Sequence, residues 1–365
     1  MRAYQNFFLR HFPEPPIFYA NASHALYDIM VWLQSNRPKS DPNIVMPVYI
    51  PAKMYRFVLA AGYRPKFYDV STRLDFSLSE IEKRIDRHTQ LIMAVHFFGI
   101  PVDMEPLREL AEKRGIFLLE DCAHTLGGRI NGKLLGTTGH FSIFSTRKML
   151  QVYCGGFLLR NHTNWKYYPS SFKRVSNLFT AYHLIGSRIK FMLNRMAKQK
   201  NLFVRDAPYR GYIDFSEKQK VTVKMMDHMS IIHFGMVDLP AVISKRRENI
   251  KYLWDNIQRR DLFEPIELQR LADEKHSNGF VEYYPVDGYV PFSFPLLTKP
   301  GMRDHIQMRL LEYGVFCYSG WPESPFGMTG FPGAMELQSR LLELPVHHYM
   351  NRYQLDRMIA AIKSL

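Results

Sequence analysis

Residues 116–128 read IFLLEDCAHTLGG, and residues 141–159 read FSIFSTRKMLQVYCGGFLL. Each stretch begins with a short apolar run, which predicts a buried strand, and polar residues follow each run. Asp121 comes directly after the first run, and Lys148 comes shortly after the second. An ionised carboxylate is costly to bury without a cationic partner, so Asp121 predicts a positive charge close to it.

The residues before this stretch alternate apolar runs with helical patterns. Strands are predicted at 44–48, 66–70, 91–96 and 116–120, and helices at 52–61, 79–85 and 104–114. Ser79 is the expected N-cap of the second helix. Nearly continuous apolar strands indicate burial on both faces, hence an α/β fold with a mostly parallel sheet between helices. Ligands of such sheets lie beyond the carboxyl ends of the strands. That rule points to Tyr49, His96, Asp121 and the turn at 142–148.

The second half of the chain predicts a smaller C-terminal domain. Residues 229–257 are predicted as one long helix that links the two domains. A strand is predicted at 290–297, and helices at 302–313 and 352–362. The predicted division is therefore a large domain over 15–228, with a basic insert at about 172–220, and a linking helix with a small α+β domain over 229–365.

The chain is basic, with 48 Lys and Arg against 34 Asp and Glu and a formal net charge of +14. A solvated basic surface, an anionic substrate, an anionic membrane face or nucleic acid would each fit this charge. Nucleic-acid-binding motifs are absent from the sequence, so we expect no nucleic-acid partner. The insert at 172–220 is interpreted either as a helix packed on the large domain or as a basic amphipathic element that contacts a membrane surface peripherally.

The cysteines and the apolar runs indicate the cellular compartment of the protein. The three cysteines show no metal-ligand spacing, and their odd number disfavours a disulfide framework. We therefore expect no metal site and a reducing, cytoplasmic compartment. The first residues do not resemble a signal peptide, and no apolar run is long enough to predict a membrane-spanning helix.

The ordered set of Asp121, His124 and Lys148 predicts a pyridoxal-phosphate (PLP) site. Asp121 would pair with the protonated pyridine nitrogen, and His124 would bind near the ring oxygen. A partly buried Lys148 near other cations would have a lowered pKa, so that its amine could form a Schiff base with the cofactor and then shuttle protons. Taken singly, each residue has a common structural explanation, such as a helix cap for an aspartate. The prediction therefore depends on the set.

A phosphate group needs N–H donors and small hydroxyl groups. Residues 21–24 open a helical pattern, and the free N–H groups of a helix start bind anions well. Ser142 or Ser145 could add a hydroxyl group from the lysine turn. The residues alone do not decide between these two serines.

These motifs together resemble the DegT/StrS family of sugar aminotransferases, which are fold-type I PLP enzymes. The resemblance runs over about residues 21–159 and includes NASHAL, AAGYRPKFYDV and VHFFGIPVDMEPLRELAEKRGIFLLEDCAHTLGG. It resumes in the tail with GWP at 320–322 and LELPVHHYM at 342–350. The resemblance implies a seven-stranded-type sheet, a PLP cofactor, a homodimer and a transferred amino group.

The resemblance also implies roles for individual residues. Lys148 would carry the cofactor, Asp121 would pair with its pyridine nitrogen, and His124 stands where the family often has Gln or His. Ser23 and His24 match the turn that binds the phosphate in the family.

Other positions are less closely matched to the family. Pro51 aligns with the aromatic residue that stacks on the cofactor ring, so Tyr49 is expected to supply the stacking face instead. His96, Trp321 and His347 are candidate substrate-contacting residues.

The sequence therefore predicts an aminotransferase. Its amino donor would be glutamate, and its acceptor a nucleotide-linked keto-sugar of surface polysaccharide or secondary-metabolite biosynthesis. One alternative is a PLP-dependent sugar dehydratase, although the related dehydratases have histidine where Lys148 stands. The others are a non-catalytic binding protein with the PLP fold and a membrane-associated enzyme acting on a lipid-linked or polymeric substrate.

Overall fold

The structure of the protein is a computed structural model. It describes residues 14–150, 152, 154–161, 166–178, 180–182, 185, 221–257, 259, 261–264, 266, 288–321 and 327–365. Most of the predicted basic insert at 172–220 lies outside these residues. Tyr182 and Ile185, two members of its apolar pattern, are described, and both are exposed.

A seven-stranded sheet forms the centre of the region that the sequence predicts as the large domain. The strands up to residue 160 are β1 (Ile17–Tyr19), β2 (Asn43–Pro47), β3 (Arg64–Tyr68), β4 (Thr89–Val95), β5 (Phe117–Cys122), the short hairpin β6 (Arg129–Ile130) and β7 (Lys133–Leu134), β8 (Phe141–Phe144) and β9 (Gly156–Arg160). The sheet order is β1-β9-β8-β5-β4-β2-β3. Neighbours from β3 to β8 pair in parallel, and β9 runs antiparallel to both β8 and β1. The predicted mostly parallel sheet is confirmed.

Helices connect the parallel strands. In the large domain they are α1 (Ala22–Asn36), α2 (Ala52–Ala60), α3 (Leu78–Arg84), α4 (Glu105–Arg114) and the short α5 (Thr146–Met149). Every residue of β2, β4 and β5 is buried, as expected for strands covered on both faces. Gly115 ends α4 in the left-handed conformation, with φ of 63°, which glycine adopts without a steric penalty.

The start of α3 differs from the prediction. Ser77 is the N-cap, and its hydroxyl oxygen accepts from the Glu80 N–H at 3.4 Å. Ser79 lies inside the first turn, where its hydroxyl oxygen is 3.0 Å from that of Ser77. Both serines have capping chemistry, so composition alone could not choose between them.

The predicted single helix over 229–257 is wrong. The structure has two helices there, α6 (His228–Met236) and α7 (Leu239–Asn256). Asp238 caps the second, because its side chain accepts from the Ala241 N–H at 3.1 Å. Pro240 follows in the first turn, where proline is tolerated, whereas in a helix interior it would remove a hydrogen bond and clash with the preceding turn.

The C-terminal part of the chain, where the sequence predicts a small α+β domain, forms a second sheet with its own helices. Its elements are β10 (Phe263–Glu264), β11 (Ser293–Thr298), α8 (Arg303–Glu312), α9 (Pro332–Arg340), β12 (Leu341–Pro345) and α10 (Arg352–Lys363). The three strands form an antiparallel sheet in the order β10-β11-β12. The Phe292 N–H donates to the Phe98 carbonyl at 2.9 Å, which joins the start of β11 to the large domain. Within the described part of the chain, no helix combines the length and apolar character needed to cross a bilayer.

Candidate active site

Asp121 and Lys148 reach the site from neighbouring strands. Asp121 lies near the end of β5, which pairs in parallel with β8, and α5 after β8 carries Lys148. Asp121 is only 6% exposed, and its carboxylate accepts from the Ala123 N–H at 2.8 Å. Burial raises the pKa of Asp121, and the charge of Lys148 acts against that rise. The structure thus brings together the two groups on which the sequence prediction depends.

The amine of Lys148 contacts His124 directly, with 2.5 Å between Nζ and Nε2. His124 Nδ1 accepts from the Phe98 N–H at 2.9 Å, so the proton of a neutral imidazole must be on Nε2. Burial, followed by the charge of Lys148, holds the pKa of His124 well below its usual range. A neutral His124 can donate its Nε2 proton to Lys148 only when the lysine amine is uncharged, which is the nucleophilic form of lysine.

Several charges set the pKa of Lys148. Desolvation is the largest influence and lowers this pKa to about 8. The carboxylates of Asp121 and Glu343 act in the opposite direction, and Arg147 and Lys53 lower the pKa further. The lowered pKa predicted for this lysine is what the arrangement produces, with two carboxylates limiting the shift.

Aromatic rings form a wall beside His124. Phe292 stacks on the His124 ring at 4.8 Å between centroids, and Trp321 lies 5.5 Å from it. Trp321 also stacks on Phe98 at 6.0 Å and meets Tyr49 edge-on at 5.0 Å. Tyr49 is fully buried in this packing. Trp321 and Tyr49, which were predicted on separate grounds, are thus brought to the same wall.

The start of α1 lies where the sequence predicted a phosphate turn. The Asn21 side chain accepts from the N–H groups of Ser23 at 3.0 Å and His24 at 3.3 Å. The Ser23 hydroxyl donates to Met54 Sδ at 3.2 Å. His24 Nδ1 accepts from the Lys224 N–H at 3.4 Å, and burial, Lys53 and Lys224 lower the His24 pKa to about 4. An anion bound by these two N–H groups would compete with the Asn21 side chain as acceptor.

Two glycines at the start of β9 pack closely against α1 and the lysine turn. A Cβ at Gly156 would collide with the backbone of Asn21 and Ala22, and a Cβ at Gly155 would collide with the Thr146 hydroxyl. The Thr146 hydroxyl is buried and has no hydrogen-bond partner among the described residues. A hydroxyl donor without a partner at this position could be satisfied by an anionic group. Thr146 was not predicted, although it adjoins the serine that was.

The two serines of the lysine turn have different surroundings. The Ser142 hydroxyl is fully buried, donates to the Gly136 carbonyl at 2.7 Å and lies 3.3 Å from Asn161 Nδ2. Ser145 immediately precedes α5 and caps it without a side-chain hydrogen bond. Ser142 is thus committed to the protein interior, which leaves Ser145 as the serine available to a phosphate.

His96 does not face the site. It is fully buried, Nε2 donates to Glu120 at 2.9 Å, and Nδ1 accepts from the Val102 N–H at 3.1 Å. Neither ring nitrogen is left for a substrate. His96, Glu120 and Cys122 have ligand atoms within 4.8 Å of one another, but Glu120 also accepts from three backbone N–H groups of the loop that follows β7. These bonds favour a structural interpretation over a metal site.

His347 lies behind the lysine turn, next to a buried arginine that the sequence analysis missed. Arg246 is 1% exposed and donates to the backbone carbonyls of Met149 at 3.0 Å, Pro291 at 3.0 Å and Phe292 at 2.9 Å. His347 Nδ1 is 3.5 Å from an Arg246 nitrogen. Burial, then Arg246 and His348, lower the His347 pKa to about 4, so this ring is neutral.

Glu343 is the other residue that the sequence analysis missed. It lies on β12, is 6% exposed, and accepts from the Ser293 hydroxyl at 2.7 Å. Burial raises its pKa to about 7, while Ser293 and the charge of Lys148 oppose that rise. The available signal was a carboxylate inside an otherwise apolar strand, LLELP.

Comparison with known proteins identifies the family. The family model of DegT/DnrJ/EryC1/StrS aminotransferases matches residues 16–179. A relative from Micromonospora megalomicea subsp. nigra, named dTDP-3-amino-3,4,6-trideoxy-alpha-D-glucose transaminase, is 41% identical over 321 residues, which are 83% of this chain and 73% of the relative. The chain belongs to the DegT/DnrJ/EryC1/StrS aminotransferase family. This confirms the resemblance drawn from the sequence, and with it PLP as the cofactor.

Other similarities are shorter or more distant. The GDP-perosamine synthase of Vibrio cholerae is 32% identical over 103 residues, and this match covers 28% of each protein. The chain thus spans well under two thirds of that relative. The E. coli GDP-4-keto-6-deoxy-D-mannose-3-dehydratase, solved with bound hydrated PLP, superimposes with a TM-score of 0.67 at 17% identity and covers 99% of this chain and 91% of that one. This likeness confirms the fold-type I architecture.

Proposed function

We propose that this protein is a PLP-dependent aminotransferase that moves an amino group from glutamate to a nucleotide-linked keto-sugar. The observation that supports it most is the contact between a neutral His124 and the Lys148 amine, with the buried Asp121 carboxylate close by. Family membership and the name of the Micromonospora relative support the same reaction class. Surface polysaccharide or secondary-metabolite biosynthesis would supply such a substrate.

The residues of the site fit PLP. Asp121 would lie against the pyridine nitrogen of PLP, and the Lys148 amine would bind covalently to its carbonyl carbon. The start of α1 with Ser23 and His24, together with Ser145 and Thr146, would hold the phosphate. When bound, PLP supplies an electron-poor ring that accepts the electron pair left on carbon when a proton is removed.

The protein's own groups would handle the protons. Lys148, with its pKa lowered to about 8, can take a proton from the substrate carbon and return one to it near neutral pH. The His124 N–H fixes the direction of the Lys148 amine. Asp121 remains an anion opposite a cation, and the aromatic wall that includes Trp321 keeps water from the reacting atoms.

A sugar dehydratase is the nearest alternative, because the E. coli dehydratase has the same fold. The fold therefore does not decide the reaction. A lysine that can return its proton to carbon favours amino transfer, and the retained lysine and aspartate disfavour a purely non-catalytic protein.

The test begins with the colour of the purified protein. We expect a visible absorption band after addition of PLP, and borohydride should attach the cofactor covalently to Lys148, as mass spectrometry would show. Glutamate should bleach the band and release 2-oxoglutarate, and a dTDP-linked keto-sugar should restore it. The variant Lys251→Ala, at an exposed ion pair on α7, is the matched control. A protein that binds PLP but releases no 2-oxoglutarate would not be this aminotransferase.

We further propose that the protein is a homodimer located in the cytoplasm and that the basic insert contacts membranes peripherally. Light scattering after gel filtration measures the oligomeric state. Sedimentation with anionic vesicles, with and without neutralised basic residues in 172–220, measures membrane contact. Equal sedimentation of both forms would count against membrane contact.

A further inference from the structure

The turn that carries Lys148 is held from a distant helix. α5 has only four residues, Thr146–Met149, and the last carbonyl groups of a helix have no N–H partner within it. Arg246 on α7 supplies donors to them: its Nη2 donates to the Met149 carbonyl at 3.0 Å and lies 3.5 Å from the Lys148 carbonyl. The main chain at the lysine is therefore fixed by a side chain 98 residues further along the chain.

The other terminal nitrogen of Arg246 holds the segment before β11. Nη1 donates to the Pro291 carbonyl at 3.0 Å and to the Phe292 carbonyl at 2.9 Å. The Phe292 ring lies 5.8 Å from Lys148 Nζ and stacks on His124 at 4.8 Å between centroids. One planar guanidinium thus fixes the main chain of the lysine relative to the ring beside its amine.

Phe292 is also joined to the residue that orients His124. Its N–H donates to the Phe98 carbonyl at 2.9 Å, and the Phe98 N–H donates to His124 Nδ1 at 2.9 Å. Phe98 has φ of 56°, a left-handed conformation that is uncommon for a residue other than glycine. Such a conformation persists only where the surrounding contacts impose it, and both backbone bonds of Phe98 serve the two rings beside Lys148.

A buried arginine is costly to keep in this position. Arg246 is 1% exposed, and its hydrogen-bond partners in the described part of the chain are backbone carbonyls and the His347 ring, not carboxylates. A buried charge without an opposite charge destabilises a fold, and apolar residues of similar volume are often at least as stable. Arg246 is therefore better explained by the groups that its donors hold in place than by a contribution to stability.

We propose that Arg246 is a positioning residue that keeps the Lys148 amine against His124 by holding the lysine turn and Phe292 together, an inference that rests on the proposed function. Lys148 Nζ is 2.5 Å from His124 Nε2, so a small shift of either segment would break this contact. A misplacement of about 1 Å in a reacting group slows a reaction about 100-fold. Because Arg246 is buried behind the turn, it acts through these groups and not on the reacting atoms.

The experiment compares Arg246→Gln and Arg246→Lys with a matched control, Asn249→Ala. Asn249 lies one turn further along α7, is also 1% exposed and donates to the His347 carbonyl at 2.8 Å, so it is equally buried but holds a different segment. Arg246→Lys keeps the positive charge, but one ammonium group does not span both segments as the planar fork does. Thermal unfolding measures the stability of each variant.

The first readout uses the PLP-free full-length chain. The pKa of the Lys148 amine is measured from the pH dependence of its acylation by mass spectrometry. Burial is the main reason why this pKa is only about 8, so an amine released towards water should have a higher one. We expect a rise of about one unit in Arg246→Gln and a smaller rise in Arg246→Lys. The other groups that face the amine are unchanged in these variants: Asp121, Glu343, Arg147, Lys53 and the neutral ring of His124.

The second readout uses the protein with PLP. In Arg246→Gln, kcat for amino transfer should fall roughly 100-fold with little change in KM, because proton transfer needs an oriented amine. Asn249→Ala should lose stability, since it removes a buried hydrogen bond, and it should keep the lysine pKa, kcat and KM of the wild type. If Arg246→Gln does not fold, Arg246→Lys provides both readouts.

An unchanged lysine pKa in folded Arg246→Lys overturns the proposal, because the charge alone would then suffice. An equal shift in Asn249→Ala overturns it too, because any buried hydrogen bond of α7 would then have the same effect. The acylation measurement needs neither cofactor nor substrate. A lysine pKa that responds to Arg246 in a protein that releases no 2-oxoglutarate would therefore refute the proposed reaction and not the positioning role.

Discussion

Glu120 and Asp121 are adjacent carboxylates on the same strand, yet their surroundings are opposite. Successive side chains of a strand point to opposite faces of the sheet. Glu120 accepts from His96 and from three backbone N–H groups, and these bonds lower its pKa although burial alone would raise it. Asp121 accepts from one backbone N–H, and burial raises its pKa. A carboxylate with all its partners supports the fold, whereas one short of partners is prepared for a ligand.

The largest effect expected from this comparison is on chemistry. Lys148→Ala removes the amine opposite Asp121, so we expect the glutamate half-reaction to slow by roughly 10⁴-fold or more, as for loss of a general base. Folding should be preserved, because the side chain is only partly buried. Stopped-flow absorbance measures the rate and circular dichroism the folding. A rate close to wild type would remove Lys148 from the mechanism.

Glu120→Gln should destabilise the fold by about 3 kcal/mol, because the buried carboxylate loses the negative charge that strengthens its hydrogen bonds. Since the Glu120 pKa is lowered in the folded state, its contribution is present above the unfolded value near 4.5 and is lost as the pH falls further. Urea unfolding at pH 7 and at pH 4 should therefore show a smaller difference between variant and wild type at the lower pH. If the unfolding free energies of variant and wild type differ equally at both pH values, the ionised Glu120 does not stabilise the fold.

Asp121→Asn should change the stability of the PLP-free protein in the direction opposite to Glu120→Gln. Because burial raises the pKa of Asp121, the ionised carboxylate destabilises the PLP-free fold at neutral pH, and the variant should be more stable than the wild type. The same change should weaken PLP binding, because the pyridine nitrogen loses its anionic partner. Thermal unfolding with and without PLP measures both effects. A loss of stability without PLP would refute the contrast with Glu120.

The smallest effects concern the two serines of the lysine turn. Ser142→Ala should cost about 1 kcal/mol of stability and leave PLP affinity unchanged, since its hydroxyl serves an internal hydrogen bond. Ser145→Ala should weaken PLP affinity a few-fold and leave stability unchanged. Fluorescence titration with PLP and urea unfolding distinguish them. The reverse pattern would make Ser142 the phosphate ligand.

The sequence predicted the parts of the site that follow from strand ends. Continuous apolar runs identified the parallel sheet, and the ends of β5 and β8 identified Asp121 and Lys148. The same rule pointed to His96, because a strand end does not reveal that a distant loop supplies the bonds of Glu120. Pro240 indicated the break between α6 and α7, because proline disfavours a helix interior. The apolar spacing alone suggested one continuous helix.

Contacts between distant segments could not be predicted. From the C-terminal half, Arg246 bonds to the lysine turn and Glu343 raises the Lys148 pKa, and no local pattern links those positions to Lys148. The choice between Ser142 and Ser145 also depended on neighbours of Ser142, the Gly136 carbonyl and Asn161, rather than on either serine. Local chemistry thus identified the cofactor-facing groups, and tertiary structure was needed for the groups that act on them.

Arg246 has a consequence for how ligands arrive. Its guanidinium links the turn after Lys148 to the segment before β11 through three carbonyl groups. A hinge motion that parted the two domains at this point would break these bonds, each worth about 1.5–3 kcal/mol when one partner is charged. We therefore expect the cleft to be preorganised, with the domains fixed at this junction while small molecules diffuse in and out.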